Sequence, residues 1–175
     1  MLDKLISWSE HPDKGVKFFS GTAAYTKTLS VSTAMTAKEC RLWLDLGRVE
    51  VMAEVKVNGR NLGILWKPPY RVEITGAVKP GKNMLEVNIV NLWVNRQIGD
   101  EFLAEDSDRN TDGTLKAWPK WLQEGKPSPA GRTTFTSWRL WHKNDRPVES
   151  GLIGPVRIIS SLHRTLDQSG KIASQ

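Results

Sequence analysis

The chain is 175 residues long, 39% apolar and 25% charged, with a formal net charge of +6, a composition that suits one globular domain with a substantial core. Its Lys and Arg residues are scattered among acids, which excludes a basic run of the nucleic-acid-binding kind. No apolar stretch approaches the roughly 20 residues of a membrane-spanning helix, and a lone cysteine, Cys40, excludes a disulfide within the chain.

In chain order, the opening MLDKLISWSEHPDKG has no signal-peptide pattern, since Asp3 and Lys4 interrupt it, and it reads as a point inside a longer protein. Thr22 to Val31 is the first expected strand, half-buried, with Ala23, Tyr25, Leu29 and Val31 on one parity and a break at Lys27. From Cys40 to Leu46 the alternation puts Leu42, Leu44 and Leu46 on one face and Arg41, Trp43 and Asp45 on the other. Cys40 shares the leucine face and reads as a small core residue rather than a reactive thiol. After Gly47, the residues Val49, Val51, Ala53, Val55 and Val57 form the cleanest period-two run, so one face of this strand is core.

That run ends on Asn58-Gly59, the pair best suited to a type I′ hairpin turn, with Leu62 to Trp66 as the antiparallel partner. Pro68-Pro69 stops the partner strand, and Arg71 to Ile74 starts another. Gly81 and Asn83 mark a further turn before Met84 to Asn91, where Leu85, Val87 and Ile89 share a face. Asn95 to Arg132 is rich in Asp, Gly, Pro and Trp and too long for a plain connection, with Pro119 placed to open a short helix. A closing strand follows at Pro155 to Ser160, and a polar tail over Arg164 to Gln175. Short strands separated by turn signals about every ten residues, without amphipathic helices between them, predict an all-β sandwich or jelly roll.

Gly63 after Asn58-Gly59, the Pro69-Tyr70 pair, Ile74-Thr75 and KPGKNMLEV followed by Asn91 resemble the sugar-binding domain of the β-galactosidase and β-glucuronidase superfamily. The flanking segments FFSGTAAYTKTL, NLWVNRQIGDE, AWPKWL, GRTTFTSWRLW and SGLIGPVRI resemble the C-terminal β-sandwich of bacterial α-L-rhamnosidase-type glycoside hydrolases. The resemblance covers roughly Val16 to Ser160. It implies a galactose-binding-like jelly roll over residues 16–163 with a long Trp-rich loop insertion, preceded by a lead-in over 1–15 and followed by the tail at 164–175. It also implies a separate catalytic barrel as partner, carbohydrate as ligand, and a periplasmic or extracellular site if the parent is secreted.

The residues agree with an accessory role. Glycoside hydrolysis needs two carboxyl groups about 5 to 10 Å apart across a sugar. Asp100 and Glu101 are neighbours that point to opposite faces on a strand, though a loop allows them to converge. His11, His142 and His163 have no recognisable partner motif for triad chemistry, and no Gly-rich phosphate loop opens a helix. The eight Trp residues are the best remaining signal, because an indole face stacks on a sugar ring while Asp, Asn and Arg bond its hydroxyls. Trp93, Asn95, Arg96 and Asp100 combine these types within one turn or strand end, with Trp66 and Tyr70 as further candidates and Trp118, Trp121, Trp138 and Trp141 as a second group. The alternative for each Trp is packing in the core or against a neighbouring domain. Finally, Asp108, Asn110, Asp112 and Gly113 match the first half of a calcium loop, with Asp106 near; Pro119 stands where the bidentate acid belongs, and an Asx turn explains the same residues.

Overall fold

The computed structural model describes residues 4–163, so the expected polar tail lies outside the described residues. They group into two compact units: one formed by residues 4–5, 22–90 and 151–163, the other by Ile6–Gly21 and Asn91–Ser150.

The first unit is a β-sandwich. Its strands are β1 (Thr22–Val31), β2 (Cys40–Asp45), β3 (Arg48–Glu50), β4 (Met52–Val57), β5 (Arg60–Leu65), β6 (Arg71–Glu73), β7 (Gly81–Val90), β8 (Gly151–Gly154) and β9 (Arg157–Leu162). They form antiparallel sheets in the orders β1-β7-β4-β5, β6-β2-β9 and β3-β8. Alternation builds the core: Leu42 and Leu44 from one sheet, and Ala53, Val55, Val57, Leu85, Val87 and Ile89 from the other, are all buried. Leu46, Ile74 and the thiol-bearing Cys40 join them.

Two turns rest on residues that the chain had to supply. Asn58 and Gly59 both have positive φ, 52° and 80°, as a type I′ hairpin requires. The Asn58 side chain also donates to Ala77 O and Asn83 Oδ1 and accepts from Met84 N, locking the hairpin to the turn before β7. Asn83, 2% exposed, receives Lys79 N and donates to Lys79 O and Gly81 O. Gly47, at φ +66°, passes so close to Gly154 that a Cβ there would stand 2.5 Å from its carbonyl carbon.

The Val49 to Val57 run departs from its expectation as one strand. Val49 pairs through β3 with β8, whereas β4 lies between β7 and β5. Periodicity reports that Val49, Ala53, Val55 and Val57 are buried, but it is blind to which neighbour takes the backbone bonds. Between the strands, Val51 N donates to Val90 O and Val51 O accepts the Tyr70 hydroxyl. The closing strand also starts later than expected, at Arg157, and β8 precedes it in a Gly-Leu-Ile-Gly stretch too short to signal itself.

The second unit has little regular structure: a 3₁₀ turn at Trp8–Glu10 and the helices α1 (Lys14–Lys17), α2 (Val94–Asp100) and α3 (Lys120–Gln123), the last opened by Pro119. Trp8, Phe18 and Ile98 form a small buried core, with Trp8 edge-on to Phe19 at 5.5 Å. Gly99 is required there, since a Cβ would fall 2.7 Å from Phe18 Cβ. Polar side chains bind the two chain segments together. Asn91 holds Phe19 O and Gly21 N, and Ser150 N donates to Ser7 Oγ.

Candidate functional site

The segment from Trp93 to Asp100 is helical, not a turn or strand end, and its polar residues face inward. Asn95, 1% exposed, donates to Val148 O and Ser150 Oγ and accepts from Val148 N. Asp100, also 1% exposed, accepts from Thr133 N, Thr134 N and Thr134 Oγ1 through Oδ2, while Oδ1 faces Arg96 at 2.9 Å. These bonds fasten the 133–134 and 148–150 segments onto α2. Asn95 and Asp100 therefore build the unit, and most of the polarity that suggested a sugar contact is engaged internally, with Asp100 Oδ1 held by the Arg96 charge alone and Arg96 Nε left without a hydrogen bond. Trp93 alone of this group is exposed, at 57%.

Trp66 and Tyr70 belong to the first unit. Trp66 is exposed, with the Lys67 ammonium 5.1 Å from its ring centre. Tyr70 is half-buried and its hydroxyl holds Val51 O; burial, with the Glu50 charge in second place, raises its pKa. At the candidate calcium loop, Asp112 Oδ1 accepts from Thr114 N and Thr114 Oγ1, and Asn110 donates to the same hydroxyl. The Thr114 bonds lower the Asp112 pKa. This is the Asx turn of a small hairpin in which Arg109 bridges to Leu115. Asp106 accepts from Ser107 and Ser128, and no three His, Cys, Asp or Glu side chains gather as metal ligands among the described residues.

A different cluster occupies the second unit. Arg132, Arg139 and Arg109 converge on a cleft also lined by Glu101, Phe135 and Trp141. Glu101 emerges from the end of α2 and pairs with Arg132 at 2.8 Å and with Arg139 at 3.3 Å. Glu105 takes the outer nitrogen of Arg139. Arg132 also donates to Ala104 O and Leu103 O and is nearly buried, so it works as an internal rivet.

Arg109 differs. Its two terminal nitrogens donate to Gly113 O and Thr136 O, at 3.0 and 2.7 Å, and no carboxylate lies within ion-pair distance of it among the described residues. Burial, and then the neighbouring Arg139 charge, lower its pKa below the ordinary guanidinium value. The cleft is bordered by an aromatic group in which Phe135 lies 5.8 Å from Trp118 and 5.9 Å from Trp121. Trp118, Trp138 and Leu140 are exposed. The arginines and acids are spread over residues 101 to 139 without periodic spacing. The only legible signal was the second Trp group among them, Trp118 to Trp141.

No protein-family model matches the chain. A candidate β-glucuronidase from Formosa agariphila is 46% identical over 165 residues, which is 94% of this chain and 14% of that protein. The solved structure of a rhamnosidase from Novosphingobium sp. PP1Y matches 91% of the chain with a TM-score of 0.71 and 36% identity, and 13% of its own chain is covered. A Bifidobacterium dentium β-glucuronidase, complexed with coumarin-3-O-glucuronide, shares the fold over 81% of the chain with a TM-score of 0.51 and 21% identity. The chain thus spans about one-seventh of the first two proteins' length, and its β-sandwich is similar to one carried by glycoside hydrolases.

Proposed function

We propose that this chain is a non-catalytic accessory module of a larger glycoside hydrolase and that it contacts carbohydrate. The observation that carries the reading is the asymmetry of coverage: nearly all of the chain matches, yet it accounts for 14% of one relative and 13% of the other. Their names, a β-glucuronidase and a rhamnosidase, point to a parent that cleaves glycosidic bonds elsewhere in its length. Consistent with this, Asp100 and Glu101 are engaged with Thr133, Thr134, Arg132 and Arg139, which leaves neither as a free acid facing a sugar. The exposed indoles of Trp93, Trp118 and Trp138 in the second unit offer faces on which a sugar ring can stack.

The test is to assay the chain with aryl rhamnoside and aryl glucuronide, and by calorimetry with rhamnose-, galactose- and uronic-acid-containing oligosaccharides. No turnover and millimolar binding are expected. Turnover that survives purification would overturn the non-catalytic reading.

A second reading has its own support. Leu92, Trp93, Phe102 and Leu103 are exposed around α2, and the polar residues of that helix that would accompany a sugar are turned inward. Exposed apolar side chains at both ends of one helix suit packing against another domain of the parent. Failure of every oligosaccharide to bind, together with capture of the separately made remainder of the parent, would favour it.

A further inference from the structure

We infer that the cleft of the second unit takes the carboxylate of an acidic sugar, with Arg109 as its recognising cation. This rests on the reading of the chain as a carbohydrate-contacting module and names the class of sugar. The charge pattern comes first. Glu101 and Glu105 are used by Arg132 and Arg139, and Asp106, which also lines the cleft, is turned to Ser107 and Ser128. Arg109, half-buried, donates to backbone carbonyls alone; the Glu105 and Glu101 charges act on it through space, and neither carboxylate touches it. A desolvated cation of this kind favours an anion, and the planar guanidinium matches a carboxylate better than a point charge would.

Size decides how much of the ligand enters. The cleft offers about 20 Å³, room for a small polar group and far less than a sugar ring. Only the charged group reaches Arg109; the ring must lie at the mouth, against Phe135, Leu140 and Trp141. Aromatic rings beside a half-buried cation are the pairing that a uronic acid needs, since its ring presents C–H groups and its C6 presents the charge.

The experiment is a calorimetric titration of the chain with a galacturonic acid trisaccharide, the matching galactose trisaccharide, a sulfated galactose oligosaccharide and acetate. The acidic trisaccharide is expected to bind at least about ten-fold tighter than its neutral counterpart, with the difference shrinking as salt rises. Arg109→Gln should abolish that difference. Because Arg109 also braces two carbonyls, a second variant, Leu140→Glu, sets a repelling charge at the exposed rim without disturbing the brace. It should weaken the acidic sugar by a larger factor than the neutral one, which loses only the Leu140 contact. Equal binding of acidic and neutral sugars would overturn this inference while leaving the carbohydrate reading standing. Binding of none of the sugars would remove both. Acetate binding as tightly as the trisaccharide, or a preference for the sulfated sugar, would also overturn it.

Discussion

Replacing Asp100 by Ala should damage stability, and the size of the effect follows from its surroundings. One carboxylate oxygen takes three hydrogen bonds, at 2.7 to 2.9 Å, from Thr133 and Thr134, and the other faces Arg96. A hydrogen bond to a charged group contributes about 1.5–3 kcal/mol, and breaking a buried ion pair costs about 3–5 kcal/mol because it strands the partner. These terms overlap, and Arg96 is 26% exposed, so its charge can recover water. We expect a loss of about 3 kcal/mol for Asp100→Ala and about 2 kcal/mol for Asp100→Asn, which keeps the volume but not the charge. Against a typical total of about 5–15 kcal/mol the loss is large. Urea unfolding followed by Trp fluorescence measures it, and amide exchange should place the added opening in residues 91–150. A loss under about 1 kcal/mol, joined to loss of sugar binding, would refute the assignment of Asp100 to structure.

Three further outcomes test the sandwich. Asn83→Ala removes a buried amide that holds Asn58, Lys79 and Gly81, and should cost about 2–3 kcal/mol in chemical denaturation. Gly47→Ala combines positive φ with a Cβ 2.5 Å from the Gly154 backbone, and should lower stability by about 2 kcal/mol or more, whereas Gly59→Ala meets no atom within 4 Å and should cost less. The Asp45 pKa is lowered, first by the Arg71 hydrogen bond and then by Gly47 N. The pair's contribution is therefore present above the ordinary carboxylate range and lost as pH falls through the folded value. Because Arg71 is 43% exposed, the effect is at most about 1 kcal/mol. Thermal scans across acidic pH should show a shallower decline in Asp45→Asn.

The sandwich was largely legible because its signals are local. Alternation at Leu42, Leu44, Leu85, Val87 and Ile89 records a buried face, and Asn58-Gly59 records a backbone that few other pairs adopt. What escaped was non-local. Nothing between Arg48 and Val57 states that β3 will pair with a strand about a hundred residues later. The helix α2 has no capping side chain at Trp93 to announce it. Asn95 and Asp100 looked like surface chemistry because polar residues are costly to bury unpaired, yet 148–150 takes up Asn95 and 133–134, with Arg96, takes up Asp100. The arginine cleft was hidden for the same reason: Glu101 meets Arg132 and Arg139 only after the intervening chain has turned back.

The two units are interleaved along the chain, each interrupting the other, and this sets a timetable for synthesis. The second unit joins Ser7 to Ser150, so its first segment must wait until residue 150 has emerged. The sandwich waits longer still, because β2 pairs with β9 and β3 with β8, both made after residue 150. Vectorial folding, in which an early domain closes before a later one is made, is therefore denied to either unit. Until β9 arrives, the long edge of β2 is an open template for foreign strands, and the last dozen described residues act as the clasp that shuts it.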